Sequence, residues 1–282
     1  QPRGFLSLVG AILTEPCSPE ADYGVFYIDA LTYQPMCGAG TLSVAKALVE
    51  TGMVKRVEPE TKIVLETPTG LVTVYVKWEN HMVASINLEN VPAFLYRKEL
   101  HIDLAGYGDV SVDIGYGGNF FVLADVHSLG LTITKDTVNL LRSLSKDILA
   151  AANKVIKVAH PTNPAINYLD QVLFCQNVPE EDGGYLAQCI FGDAQADISP
   201  CGTGTSTRLA QRYFRGLIGL EETFVQKSVC GGAFHAKGLR ETTLGGVPAI
   251  VPYVSCSDVH ITGFNHLIVE ENDKLKNGFV SW

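Results

Sequence analysis

Apolar positions along the chain fall into two periods, and the period changes often. Alternating runs mark strands, and three- and four-residue spacing marks helices. Over 62–76, Ile63-Val64-Leu65 and Leu71-Val72-Thr73-Val74-Tyr75-Val76 flank Pro68-Thr69-Gly70, which predicts a β-hairpin. Over 223–237, Phe224-Val225 and Ala233-Phe234-His235-Ala236 flank Gly231-Gly232 in a similar way. The run 24–28 reads as a strand, 92–95 and 99–104 as two short strands, and 111–123 as two strands broken at Gly117-Gly118. Over 136–158, Val138, Leu141, Ile148, Leu149, Ala152 and Ile156 share one side of a predicted helix. The acidic stretch 180–184 reads as a solvated loop. Strands and helices interleaved in this way predict an α+β protein.

The pattern repeats. Cys37-Gly38-Ala39-Gly40-Thr41 and Cys201-Gly202-Thr203-Gly204-Thr205 both read C-G-x-G-T, and each opens a helical stretch. Leu42, Ala45, Leu48 and Val49 follow the first; Leu209, Ala210, Tyr213 and Phe214 follow the second. Each helix is predicted to stop at a glycine 15 positions after its cysteine, Gly52 and Gly216, as a left-handed cap requires. A hairpin then follows in both cases. One C-G-x-G is weak evidence; two with matched helices and hairpins predict a duplicated fold. The copies differ in what precedes them. About 90 residues run from the Gly106/Gly108 turn to Cys201, and only 36 precede Cys37. The expectation is that roughly 50 residues of the first copy are absent. No low-complexity linker divides the halves, which predicts a shared interface.

Composition narrows the function. Hydrophobic residues are 46% of the 282 and charged residues 18%, enough for a large core. A formal charge of −9 argues against a nucleic-acid partner, which needs a basic face. No apolar run reaches the roughly 18 residues of a membrane span. Seven cysteines, odd in number and irregularly spaced, predict reduced thiols and a cytoplasmic setting. No C-x-x-C pair or histidine cluster predicts a metal site. Gly115-Tyr116-Gly117-Gly118 lacks the spacing of a nucleotide loop, so no cofactor is expected. The two glycines read either as a strand bulge or as lining of a cleft. Cys17, Cys175, Cys189, Cys230 and Cys256 read as inert hydrophobes, and His235 as a satisfied core histidine.

Cys37 and Cys201 are different. Each precedes a glycine-containing turn into a helix, whose first amides are unpaired and carry partial positive charge. Such amides bind carboxylates and lower a neighbouring thiol's pKa. Two such sites face to face would hold one carboxylate between two thiols, an arrangement suited to taking a proton from one face of a carbon and returning one to the other.

These motifs resemble the proline racemase family, which includes hydroxyproline 2-epimerases and 3-hydroxyproline dehydratases and is similar in fold to diaminopimelate epimerase. The resemblance rests on Met36 to Thr41, on 113–121, and on Asp197-Ile198-Ser199-Pro200 with the second C-G-T-G-T. Pro2-Arg3-Gly4, Asn90-Val91-Pro92-Ala93-Phe94, Gly263-Phe264-Asn265 and Lys276-Asn277-Gly278-Phe279 extend it over essentially the whole chain. It implies two pseudo-symmetric lobes, each a β-sheet wrapped around a central helix, with the active site in the cleft between them. The lobes are expected at 1–108 plus a final strand near 267–282, and at 109–266. It implies a cofactor-independent racemase or epimerase of proline or hydroxyproline, with Cys37 and Cys201 as acid and base; the alternatives are a trans-3-hydroxy-L-proline dehydratase with Cys37 as base, or a ligand-binding relative with weak or no turnover. The amides of Gly38, Ala39, Gly202 and Thr203 would hold the substrate carboxylate, and Asp197 the ring nitrogen. The expected partners are this small molecule and a second copy of the chain in a homodimer. The family's dehydratases carry threonine at the second cysteine position, where this chain has Cys201. Ala39 and Phe5 replace histidines usual in the family, and Ile198 replaces an arginine; these departures bear on substrate choice.

Overall fold

A computed structural model describes residues 8–29, 32–265, 268–274 and 276 of the chain. The first set of elements is β1 (Gly10–Thr14), β2 (Tyr23–Ile28), β3 (Tyr33–Gln34), α1 (Gly38–Glu50), β4 (Glu60–Thr67), β5 (Gly70–Glu79) and β6 (Met82–Glu89). Next come β7 (Phe94–Leu104), β8 (Gly108–Tyr116), β9 (Phe120–Asp125) and α2 (Val138–Val155). The last set is β10 (Gln171–Cys175), β11 (Tyr185–Phe191), β12 (Gln195–Ala196), α3 (Gly202–Phe214), β13 (Phe224–Lys227), β14 (Ala233–Leu244) and β15 (Val247–Cys256).

The first and last sets are the same construction. α1 crosses from β2 to a parallel β4, and α3 crosses from β11 to a parallel β13. β1 and β3 lie antiparallel to β2, as β10 and β12 do to β11. β4-β5-β6 and β13-β14-β15 are both antiparallel meanders. The duplication seen in the cysteine motifs therefore extends over seven elements each time. The two sets join through equivalent strands, with β6 antiparallel to β15 and Leu88 opposite Val254. Among the described residues the strand order is β1-β2-β4-β5-β6-β15-β14-β13-β11-β10-β9-β8-β7.

Each helix packs on its own meander: α1 on β5 and β6, α3 on β14 and β15. The apolar stripe of α1 (Leu42, Ala45, Leu48 and Val49) is buried. α3 is covered further by β7 and β8, and its residues 202–210 are all buried. Both helices are 13 residues long and end at left-handed glycines, Gly52 at φ 73° and Gly216 at φ 70°.

Two expectations need adjustment. The separate strands expected at 92–95 and 99–104 are one strand, β7, whose register against β8 slips twice around Arg97. Glu99 absorbs the slip with φ 51°, and its N–H donates to Asp113 Oδ1 at 2.9 Å. The helix expected over 136–158 is shorter at both ends, because Thr137 is outside α2 and Ile156 is already extended. Half of the expected final strand at 267–282 lies outside the described residues, and 268–274 form loop and turns.

Asp113 ties the irregular strand to the end of α3. Its carboxylate accepts from Arg215 Nε at 2.8 Å, Arg215 Nη2 at 2.7 Å and Gln211 Nε2 at 2.7 Å. Burial pushes this carboxyl up, but the hydrogen bonds from Arg215, the Glu99 amide and Gln211 outweigh it and hold it below the usual carboxylate value. A depressed folded-state pKa contributes stability above the unfolded value, about 3.9, and loses it as pH falls through the lower folded value. We expect Asp113→Asn to cost about 2–3 kcal/mol at neutral pH. Urea denaturation should show the deficit shrinking as pH falls below the ordinary carboxylate value and the wild-type carboxylate is itself protonated; an undiminished midpoint at neutral pH would show that the pair contributes nothing.

Candidate functional site

Cys37 and Cys201 are the N-cap residues of α1 and α3, and the two caps share one hydrogen-bond pattern. Cys37 Sγ accepts from the Gly40 N–H and Cys201 Sγ from the Gly204 N–H, both at 3.3 Å. Behind each thiol, a threonine donates its hydroxyl to the cysteine carbonyl at 2.8 Å: Thr41 to Cys37 and Thr205 to Cys201. A sulfur in the N-cap position does what an N-cap oxygen does, pairing with an orphan amide of the first turn.

The helices meet end to end. A Cβ placed on Gly38 would lie 2.7 Å from Gly202 Cα, and one placed on Gly202 would lie 2.7 Å from Gly38 Cα. Glycine is required at both positions because backbone touches backbone. Asn119, in the β8–β9 connection, holds the junction by donating to Met36 O at 2.8 Å and Thr203 Oγ1 at 3.4 Å. The glycine pair before it serves the same approach: Cβ atoms at Gly117 and Gly118 would collide with Thr203 O at 2.5 Å and with Met36 Cγ at 2.8 Å.

One small cavity of about 20 Å³ is lined by Cys37, Gly38, Ala39, Asp197, Cys201, Gly202 and Thr203, together with Gln34, Gln171 and Cys189. All seven residues singled out in the sequence thus line one space. A wider cavity of about 630 Å³ adjoins it through Cys37, Ala39 and Asp197 and reaches Ile198, Phe234, Asp258 and His260. Cys37 is partly exposed, and Cys201 is buried at 6% exposure. Phe5 lies outside the described residues.

Cys201 sits at φ 64°, a left-handed conformation unusual for a residue with a side chain. Its loop imposes this. Ser199 N donates to Asp197 Oδ1 at 2.8 Å, and Ser199 Oγ accepts from Cys201 N at 3.0 Å. Gln226 Nε2 clamps Pro200 O at 2.7 Å and Thr205 Oγ1 at 2.9 Å. The remote Gln226 carried no sequence signal, and Asn119 was visible only as part of the 113–121 stretch.

Electrostatics correct one expectation. The helix terminus was expected to lower the thiol pKa of Cys37. Burial instead pushes it up to about 12; the Gly40 amide pulls it down, but Asp197 and Cys201 add to the rise. Burial likewise pushes Asp197 up to about 6, against the hydrogen bonds from Ser199 and Cys201. In the empty site, Cys37 is therefore a thiol at neutral pH.

Two cysteine-capped helix starts facing across one cavity, in a duplicated sheet-and-helix framework, define a protein of the diaminopimelate-epimerase-like fold. The proline racemase family profile matches residues 1–280, and the chain belongs to that family. It is 38% identical over 280 residues to a proline racemase of Clostridioides difficile, covering 99% of this chain and 83% of that one. It is also 38% identical over 281 residues to a trans-3-hydroxy-L-proline dehydratase of Burkholderia cenocepacia, with the same coverage. The crystal structure of a hydroxyproline epimerase from Agrobacterium vitis, with bound trans-4-hydroxy-L-proline, superposes with a TM-score of 0.91 at 29% identity, covering 100% of this chain and 80% of that one. The relatives named proline racemase and hydroxyproline 2-epimerase are isomerases, and this chain is an enzyme of their family. Among the described residues no helix is long and apolar enough to cross a membrane.

Gly38→Ala and Gly202→Ala test the junction. Helix propensity alone favours alanine, so a loss must come from the backbone collision. Each is expected to cost about 1–3 kcal/mol in chemical denaturation; an unchanged or raised stability would mean that the helix ends do not touch.

Proposed function

We propose that the chain is a cofactor-independent racemase or epimerase that inverts Cα of proline or a hydroxyproline, with Cys37 and Cys201 as paired acid and base. The observation that carries this is the pair of thiols, each capping a helix start, lining one cavity from two sides. The first-turn amides at Gly38, Ala39, Gly202 and Thr203 present partial positive charge to a carboxylate, and Asp197 supplies a carboxylate for the ring nitrogen. One sulfur, as thiolate, takes the α-proton; the opposite thiol gives its proton to the other face. The carbanion's charge spreads into the carboxylate, where the amides hold it. A cationic ring nitrogen near Cys37 favours its thiolate, offsetting the burial that keeps it protonated in the empty site.

A space of about 20 Å³ suits a single water, not an amino acid. We therefore propose that the two halves carrying α1 and α3 part to admit substrate and close over it. All seven cysteines are free, which fits a reducing, cytoplasmic setting. The proposal includes a homodimer, which analytical ultracentrifugation reads directly.

Cysteine rather than threonine at 201 favours inversion over the dehydration named for some relatives. Chiral chromatography with D- and L-proline, both 4-hydroxyproline epimers and trans-3-hydroxy-L-proline separates the two. Inversion is expected, and Cys37→Ser and Cys201→Ser should each lower it by at least about a hundredfold. Loss of water from the 3-hydroxy substrate without inversion of any other would overturn the reading.

Asp197 sets a pH limit. Its folded pKa is raised to about 6, so protonation below that removes the charge facing the ring nitrogen. The expected kcat/KM falls as pH drops through about 6, and Asp197→Asn flattens that limb while raising KM. A limb that persists in the asparagine variant belongs to another group.

A further inference from the structure

Cys189 is not the isolated core hydrophobe that its apolar strand suggests. It lies on β11, is 2% exposed, and packs in one buried cluster with Cys201. The Cys189 Sγ, the Cys201 Sγ and an Asp197 carboxylate oxygen all lie within 4.8 Å of one another. The sequence hid this grouping because its members are nonlocal: one strand residue, one turn residue and one helix cap. Spacing rules such as C-x-x-C look only for ligands that are neighbours in sequence.

We propose that Cys189, Asp197 and Cys201 form a binding site for one thiophilic divalent cation, Zn²⁺ or Cd²⁺, whose occupation takes Cys201 away from the substrate. Two sulfurs and one carboxylate oxygen are the donors such ions select over harder cations. Tetrahedral bonds of about 2.0–2.3 Å place ligand atoms roughly 3.3–3.8 Å apart. The observed limit of 4.8 Å therefore needs a closure of about 1 Å. A fourth ligand, such as a water, completes the shell from the cavity. The site is empty in this structure. Binding balances as one M²⁺ plus two thiols giving two M–S bonds and two protons released to solvent, with no electron transferred.

The ordering favours a metal over chance packing. Cys189 and Cys201 are both buried, at 2% and 6% exposure, so their sulfurs meet Asp197 in a dry space. A cation there neutralises the negative charge that a carboxylate and two thiolates would otherwise concentrate. Binding and proton release stand independently of the catalytic reading; only the consequence for turnover rests on it.

The test is a Cd²⁺ titration of the reduced full-length chain without oxygen, following the ultraviolet thiolate-to-cadmium charge-transfer band and the protons released. One Cd²⁺ per chain, with the band of two thiolates and two protons, is expected. Cys189→Ala and the near-isosteric Cys189→Ser should each weaken binding by about a hundredfold and halve the band. Exposed Cys17 and Cys230 are the competing sites, so a Cys17→Ser/Cys230→Ser chain should retain the full band. Stoichiometric Cd²⁺ should also stop inversion in the wild type and spare the residual rate of Cys189→Ser. A band that survives in both Cys189 variants, or disappears with Cys17 and Cys230, overturns the site. A band with the expected stoichiometry in a chain that inverts no substrate leaves the site standing and refutes the catalytic reading alone.

Discussion

Two helix N-termini pressed against each other at Gly38 and Gly202 are the constraint on which the rest of the molecule depends. Each start carries the positive end of a helix dipole and unpaired amides. Bringing two such ends together is electrostatically unfavourable unless something negative sits between them. The fold imposes the approach: each helix is fixed as a crossover between parallel strands, and the meanders joined at β6 and β15 fix the two crossovers relative to one another. Asn119 and the glycines at 117 and 118 close the remaining gap. What results is a site whose unfavourable empty state is relieved by a carboxylate, which is what an amino acid offers.

The thiols feel two opposing effects at this junction. The amide of Gly40 favours the thiolate of Cys37, while loss of water disfavours it more strongly. A protonated thiol at rest is protected from chance reaction, and on the proposed mechanism the charge that activates it arrives with the substrate. Asp197 is balanced the same way, with Ser199 and Cys201 opposing the effect of burial. On the proposed mechanism both groups change character on ligand binding, and the proposed closure excludes the water that would otherwise screen them.

Much of this was legible in the residues. C-G-x-G-T twice, with glycine stops at Gly52 and Gly216, revealed the duplication and six of the seven cavity residues, and the family resemblance supplied Asp197. Helix caps and hairpins are local, and local chemistry leaves marks at fixed spacing. What stayed hidden was nonlocal. Glu99 joins two apparent strands into one because Asp113, 14 positions away, captures its amide. Gln226 and Asn119 brace the cysteine loops from distant elements. Cys189 looks like a strand hydrophobe until α3 brings Cys201 against it. The net pKa of Cys37 was misjudged for the same reason: the cap is visible in sequence, the burial is not.

The central claim, that two opposed thiols share one substrate, is tested most directly by running inversion in D₂O and stopping it early. Two bases predict that newly formed product, from either enantiomer, carries deuterium at Cα while unconverted substrate keeps its proton, because each face has its own sulfur. Product that retains the original α-proton would mean that one group serves both faces, and would contradict the account.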